Sequence, residues 1–545
     1  MDQAYLTCLG LAAATVLVSA GARGLHLPHS ILLVLAGAAL AFVPGVPRVG
    51  IDPDLVLLLM LPPLLYAAGV GMSWQGFRAN LRPIMLLAVG CVLFTAAAVA
   101  AAGHYALGLP WSVGFVLGAV VSPPDAVAPM AIAQRLGLPR RILTILEGEG
   151  LVNDATALIL FSFAVAAVET GGVSVPDALA SFAMTVAGEV LWGVALGWVS
   201  LRLRRLMRDP RLEVVLALLV PYAAFWPPHG LGGSGVIAAV AAGLYVSWNG
   251  PRFIPVATRL QGYFVWGLVV HLIKGLVFLL TGLQAHVVVD GLADSGWGRL
   301  ALAGAVFSAV VVVVRFVWVF PATYLPRLIP AINRWDPNPP WQQPFLIGFT
   351  GLRGVVSLAA ALSIPLQVDG QPFPERGLIL FSTFCVIFVT LVGQGTLLPL
   401  VIRRLGLADA GAAEAGTDKV REVAARVAGV DAALARLDAL EREGAPPPAV
   451  AALRRSYRDR RAQFAGTASL RVEGSPVADS AAVQLQLNEA ERAEINALHL
   501  SSAITDEARR RIERELDLED AQIHHAAESA TGDAGAADPE TEAAA

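Results

Sequence analysis

Between Leu6 and Ile402, apolar runs long enough to cross a bilayer follow one another, and beyond Ile402 they stop. A helix needs about 20 apolar residues to cross the hydrocarbon layer, where every backbone polar group must be satisfied without water. A chain patterned this way is an all-α polytopic membrane protein. The composition agrees, with 56% of 545 residues hydrophobic and a mean hydropathy of +0.63, well above a soluble chain of this length.

The runs place spans at 4–22, 29–44, 53–70, 83–103, 112–135, 142–168, 177–203, 212–228, 231–248, 262–286, 299–324, 344–366 and 377–402, thirteen in all. No basic leader or strong cleavage site marks the start, so residues 6–20 read as the first span and not a removed signal. The connecting loops alternate in charge. One set holds Arg23, Arg78 and Arg82, Arg135 to Arg141, Arg202 to Arg211, Arg252 and Arg259, Arg327 and Arg334, and Arg403 and Arg404. The other set carries Asp52, Asp54, Glu169, Asp177, Asp290, Asp294, Asp369 and Glu375. Basic loops stay in the cytoplasm, which puts the N-terminus outside and the C-terminal tail inside an inner (cytoplasmic) membrane. Residues 1–407 carry 23 Lys and Arg against 17 Asp and Glu, and residues 408–545 carry 16 against 26. The membrane part is therefore basic and the tail acidic. Cys8, Cys91 and Cys385 lie far apart in apolar runs and read as small buried hydrophobes, with no disulfide framework or metal spacing.

Two spans are broken. The fifth contains Val121-Ser122-Pro123-Pro124-Asp125-Ala126-Val127-Ala128-Pro129, whose three prolines cannot continue a regular helix. The twelfth contains Gly348-Phe349-Thr350-Gly351-Leu352-Arg353-Gly354, with three glycines and a cation at mid-span. Irregular backbone at membrane depth is tolerated where it is buried in protein or lines an aqueous cavity. The breaks stand seven spans apart, so spans 1–6 and 8–13 read as two inverted six-helix repeats with crossing broken helices. Interrupted segments in matching places point to a transporter's substrate site.

The sixth span holds Glu147-Gly148-Glu149-Gly150-Leu151-Val152-Asn153-Asp154, three carboxylates and an amide where hydrocarbon makes charge costly. At ~1.5 Å per residue from Arg140, Asp154 lies roughly 20 Å in, past mid-membrane. Glu149 and Asn153 share one face at i,i+4, and Glu147 shares Asp154's face two turns below it. Arg353 is expected to pair with Glu149, its planar fork holding a carboxylate with help from Asn153. Asp154 is then left without an obligatory cation and holds either a proton or a cation, with Asp125 facing it from the break. Ser122, Pro124 and Thr156 are candidate backbone or hydroxyl ligands. Glu147 lines an inner vestibule, sensing pH or merely solvated. His271 and Lys274 share a face at i,i+3, and Lys274 either neutralises an acid or snorkels to the interface. No residue is assigned a catalytic role, and nothing calls for a cofactor or for nucleic acid.

Residues 408–545 differ in kind. Helical patterning over 420–443, a break at Pro446-Pro447-Pro448, and further helical segments over 449–464 and 484–527 predict a small cytoplasmic helical domain over 406–527. Residues 528–545 are rich in Ala, Glu, Asp and Gly and read as a disordered acidic tail.

The motifs around Asn153-Asp154, Gly351-Leu352-Arg353-Gly354-Val355-Val356-Ser357-Leu358 and Ser122-Pro123-Pro124-Asp125 resemble those of the monovalent cation:proton antiporters, in the bacterial sodium/proton exchanger branch. Leu61-Pro62-Pro63-Leu64-Leu65-Tyr66 and the stretch 276–284 resemble that family too, and the likeness covers residues 5–405. It implies thirteen helices within a transmembrane domain over 1–405, and a homodimer. It also implies a mobile core (83–168 and 299–402) beside dimerisation helices (4–70 and 212–286), with Asp154 as the main ion carboxylate. An Asn before the Asp is associated with electroneutral exchange of H+ for Na+ or Li+. The sequence departs from the family pattern at Pro124, where a threonine is usual, at Gly150, where a serine can help bind the ion, and at Ala67, where many members carry a glutamate. The bulk of the carboxylate chemistry suits potassium or mixed-cation exchange as well. An intramembrane aspartyl protease built on Asp125 and Asp154 requires neither the Asn-Asp pair nor the paired breaks, and a channel needs no carboxylate whose proton and ion states exclude one another.

Overall fold

The computed structural model describes residues 10, 13–18, 20–21, 29–43, 55–172, 174–207, 209–286, 296–368, 370–444, 446–469, 476–500, 512 and 515–523. Most of the first predicted span, the loop carboxylates Asp52, Asp54, Asp290, Asp294 and Asp369, and the 528–545 tail lie outside the described residues. The chain divides into two compact units, parted between Gly411 and Ala412.

The first unit is a bundle of helices: α1 His29–Ala41, α2 Leu61–Gly71, α3 Trp74–Ala79, α4 Leu81–Leu107, α5 Trp111–Val121, α6 Val127–Arg135, α7 Arg140–Thr170, α8 Val175–Arg204, α9 Pro210–Gly230, α10 Val236–Asn249, α11 Val256–Leu283, α12 Trp297–Tyr324, α13 Pro330–Trp335, α14 Gln342–Phe349, α15 Val355–Leu362 and α16 Arg376–Arg404. Seven of these, α4, α7, α8, α9, α11, α12 and α16, are long and apolar enough to cross a membrane. A hairpin of two-residue strands, β1 Gln367–Val368 and β2 Gln371–Pro372, joins α15 to α16. The second unit contains most of α17 Leu407–Arg442, with α18 Pro447–Ser469 and α19 Pro476–Leu500, edged by exposed ion pairs such as Arg461–Asp431 at 2.6 Å.

Packing sorts the membrane unit into two groups. Helices α4, α5, α7, α12, α14 and α16 pack on one another, and α1, α2, α8, α9, α10 and α11 form the other group. Phe307, Val116, Leu117 and Ile379 are buried at the heart of the first, and Tyr66, Phe225, Leu279 and Val240 in the second. The two groups touch where α7 meets α10 and α11 meets α15. The predicted fifth and twelfth spans are each split into half-helices, α5/α6 and α14/α15. In the first, consecutive prolines at 123 and 124 remove the donors that a continuous helix needs. In the second, α14 ends at Phe349 and the backbone runs non-helical to Gly354.

Candidate functional site

The two breaks meet. The backbone N–H of Asp125 donates to the Leu352 carbonyl at 2.7 Å, pinning one interruption to the other. Each break exposes the ends of half-helices, negative at the carbonyl ends and positive at the amide ends. Arg353, 1% exposed, serves the carbonyl ends: its Nε donates to Val121 O at 2.9 Å and Nη2 to Ser122 O at 3.2 Å, at the end of α5, and Nη1 donates to Gly351 O. Its own backbone N–H is held by Thr390 Oγ1 at 3.0 Å. Asp125 serves the amide ends. Its Oδ1 accepts from Val127 N at 2.9 Å, at the start of α6. Its Oδ2 lies so close to Gly354, the residue capping α15, that a Cβ there would stand 2.6 Å from it.

This overturns the expected Glu149–Arg353 pair. Glu149 is instead gripped by Arg315 of α12, Nη1 to Oε1 at 2.6 Å and Nη2 to Oε2 at 2.8 Å, both side chains 2% exposed. The physical reason is competition: a cation inside a broken helix is claimed by the carbonyls that the break sets free. Asn153 does not join either arginine. Its Nδ2 donates to Pro124 O at 2.6 Å, tying α7 to the first break, and its Oδ1 is buried with no hydrogen bond among the described residues.

In front of the crossing opens a cavity of about 800 Å³ between the two helix groups. Helical phase decides what α7 presents to it. Glu147, Gly150 and Asp154 fall on one face and line the cavity, while Glu149 and Asn153 point away. Asp125 and Asp154 are close enough for their charges to repel. Lys274 and His271 of α11 line the opposite wall, and Lys274 lies within electrostatic reach of Asp125 and Glu147. His271 stacks on His29, ring centroids 5.3 Å apart. Glu147 reaches toward the end of α2, 4.0 Å from where a Cβ on Gly71 would be.

Two of the predicted ligand hydroxyls are committed elsewhere. Ser122 Oγ donates to Ala119 O at 3.1 Å and Thr156 Oγ1 to Val152 O at 3.3 Å, and neither residue lines the cavity. Ser357 of α15 does line it, and its hydroxyl is buried without a hydrogen-bond partner among the described residues. Ser357 carries no role in the sequence reading above; its place in the first turn of the half-helix that follows a break was the available signal. The departure at residue 150 has a steric counterpart. A Cβ on Gly150 would stand 2.5 Å from the Ala126 Cβ, so a serine there is incompatible with the way α7 abuts this break.

Two broken spans crossed at carboxylates, inside a polytopic helical bundle, define a membrane transporter for cations. The comparisons agree. The transmembrane sodium/hydrogen exchanger family model matches residues 10–404, and the chain belongs to that family. It is 34% identical over 538 residues to an uncharacterized Na(+)/H(+) exchanger of Mycobacterium tuberculosis, covering 94% of this chain and 96% of that one. It is 33% identical over 395 residues to the sodium, potassium, lithium and rubidium/H(+) antiporter of Bacillus subtilis, covering 69% of this chain and 58% of that protein. The fold matches that of the sodium proton antiporter MjNhaP1 from Methanocaldococcus jannaschii with a TM-score of 0.59 at 18% identity, over 74% of this chain and 99% of that one.

Proposed function

We propose that the protein is a sodium/proton antiporter in which a proton and a cation compete for Asp154. The observation that carries this reading is the placing of Asp154 and Asp125 together on one cavity, at the crossing of two broken helices and with no arginine bonded to either carboxylate among the described residues. An unpaired carboxylate in such a place must bind a proton or a cation to be neutral, and one site that holds either but not both couples their movements in opposite directions. Arg353 and Arg315 are positioning residues: one neutralises the half-helix carbonyls, the other Glu149. Asn153 holds the first break against α7. The cation's shell is completed by Asp125, Ser357 and water.

Exchange of one H+ for one Na+ or Li+ is electroneutral, supported by a single Asp in the Asn153-Asp154 pair. The helices of the first group, with the half-helices α6 and α15 and the short α13, form the moving core, and the second group forms the fixed dimerisation part of a homodimer, alternating the cavity between the two sides. The charge pattern of the loops supports an inner-membrane location with the N-terminus outside and the tail in the cytoplasm. Use in pH homeostasis follows from the exchange itself.

A second reading is a mixed-cation antiporter, favoured by the smaller set of hydroxyl ligands at residues 124 and 150 and by the four cations named for the Bacillus subtilis relative. In vesicles loaded with a pH-sensitive dye, cation addition drives proton efflux. Asp154→Asn is expected to reduce the signal to that of empty vesicles, and full exchange in that variant would sink the mechanism. Running Na+, Li+ and K+ in the same vesicles separates the two readings.

A further inference from the structure

At the basic edge of the membrane unit, three arginines surround one carboxylate. Asp336, 5% exposed, follows α13 and leads toward the second broken span. Its Oδ1 accepts from Arg141 at the start of α7 at 2.6 Å. Its Oδ2 is shared by Arg327, at 2.9 Å, and by Arg82 at the start of α4. One negative charge against three positive ones leaves the cluster cationic.

The donors do not balance either. Arg327 spends its others on Asp336 O at 3.1 Å and on Thr323 O, and Arg141 Nε goes to Asn80 Oδ1 at 3.2 Å. Arg82 has Nε and Nη1 buried with no hydrogen-bond partner among the described residues, while its guanidinium lies over the Trp335 ring, 5.7 Å from the centroid. Buried donors of a cation without an acceptor are costly, the more so beside two like charges.

These arginines line a pocket of about 40 Å³ whose remaining wall is apolar, including Leu86, Ile145, Val319 and Ile347. A single water needs roughly 10–15 Å³ on this measure, so the pocket admits a small tetrahedral group and excludes a nucleotide. The apolar surface continues onto Leu81 and Met85, which are 43% and 40% exposed at the same end of α4.

The geometry points to a phosphate-binding site formed by Arg82, Arg141 and Arg327, occupied by the headgroup of an anionic phospholipid. Guanidinium forks suit phosphate oxygens, and basic pockets between membrane helices take anionic headgroups. The lipid source is favoured over free phosphate because the apolar wall and the exposed residues of α4 offer acyl chains a path. The bound group would join α4, the helix carrying Asp154, and the segment that leads into the second break.

The test is thermal unfolding of the delipidated full chain in neutral detergent, with phosphatidylglycerol, phosphatidylcholine or inorganic phosphate added. Phosphatidylglycerol is expected to raise the unfolding temperature by about 2–4 °C beyond phosphatidylcholine. Arg82→Gln should remove that difference. Arg82 also holds Asp336, so a second variant guards against simple misfolding: Ala322→Glu, on the pocket wall, supplies an internal carboxylate and should raise the basal unfolding temperature while removing the phosphatidylglycerol response. Equal stabilisation by both lipids, or an unchanged response in Ala322→Glu, overturns the site. A rise with inorganic phosphate equal to that with phosphatidylglycerol overturns the lipid assignment.

Discussion

Arg315 and Glu149 face each other as a two-pronged pair inside the bundle, at 2.6 and 2.8 Å, and no water-facing surface relieves either. Removing one partner strands the other charge. Arg315→Gln or Glu149→Gln is expected to destabilise the protein by about 3–5 kcal/mol, read as loss of monodisperse material after detergent extraction. Replacing both together by apolar residues should recover much of that loss, because the cost lies in the unpaired charge. A double variant no better than the singles would show that the pair does more than neutralise itself.

Much of this arrangement is legible in the sequence. Prolines at 123 and 124 and glycines at 351 and 354 mark the breaks because backbone chemistry acts locally. Helical phase separates Glu149 and Asn153 from Glu147 and Asp154 for the same reason. Partner choice is not local. Arg315 and Arg353 are both embedded cations, and periodicity within one helix says nothing about which of them a carboxylate on another helix will meet. What decides is the demand of free carbonyls at Val121, Ser122 and Gly351 for a donor, visible only once both breaks are known to touch. The role of Asp336 is not legible for the same reason: a lone acid in a basic loop looks solvated until three arginines close on it.

Asn153 bonds the break through one atom, Nδ2 to Pro124 O at 2.6 Å. Asn153→Ala should cost roughly 1–3 kcal/mol from the orphaned carbonyl and slow exchange with Asp154 intact. The discriminating measurement is rate against cation concentration. A positioning role predicts a lower maximal rate, and an unchanged rate would argue that the break holds its shape without this tie.

The contact between Gly150 and Ala126 can be tested with a paired exchange. Gly150→Ser places a Cβ 2.5 Å from the Ala126 Cβ, so α7 must shift and exchange should fall. Adding Ala126→Gly frees that space and should restore exchange. If the double variant stays as poor as the single, sterics at this contact are not the cause.

Asp336 gives the protein an acid sensitivity of known sign. Burial alone would raise its carboxyl, but the hydrogen bonds and charges of Arg141 and Arg327 outweigh it and hold it below the ordinary aspartate range. A depressed carboxyl contributes stability that is complete above the unfolded value and is lost as pH falls through the folded one. Unfolding temperature should therefore be flat in this contribution above about pH 5 and decline below about pH 4. Asp336→Asn should be less stable at neutral pH and show a shallower decline in acid; a parallel decline would place the acid sensitivity elsewhere.

Lys274 brings a basic side chain to the wall opposite Asp125 and Glu147. A tethered ammonium near the carboxylates opposes an arriving cation by charge and competes for the same oxygens. Lys274→Met should therefore lower the cation concentration that gives half-maximal exchange, with Glu147→Gln shifting it in the opposite direction because it leaves the ammonium less neutralised. The double variant separates the routes. If Glu147 acts through Lys274, Lys274→Met should abolish the effect of Glu147→Gln, and additive shifts in dye-loaded vesicles would show two independent influences on the cavity. Half-maximal concentrations for Na+ unmoved by Lys274→Met would mean the ammonium is spent on structure and does not reach the ion's path.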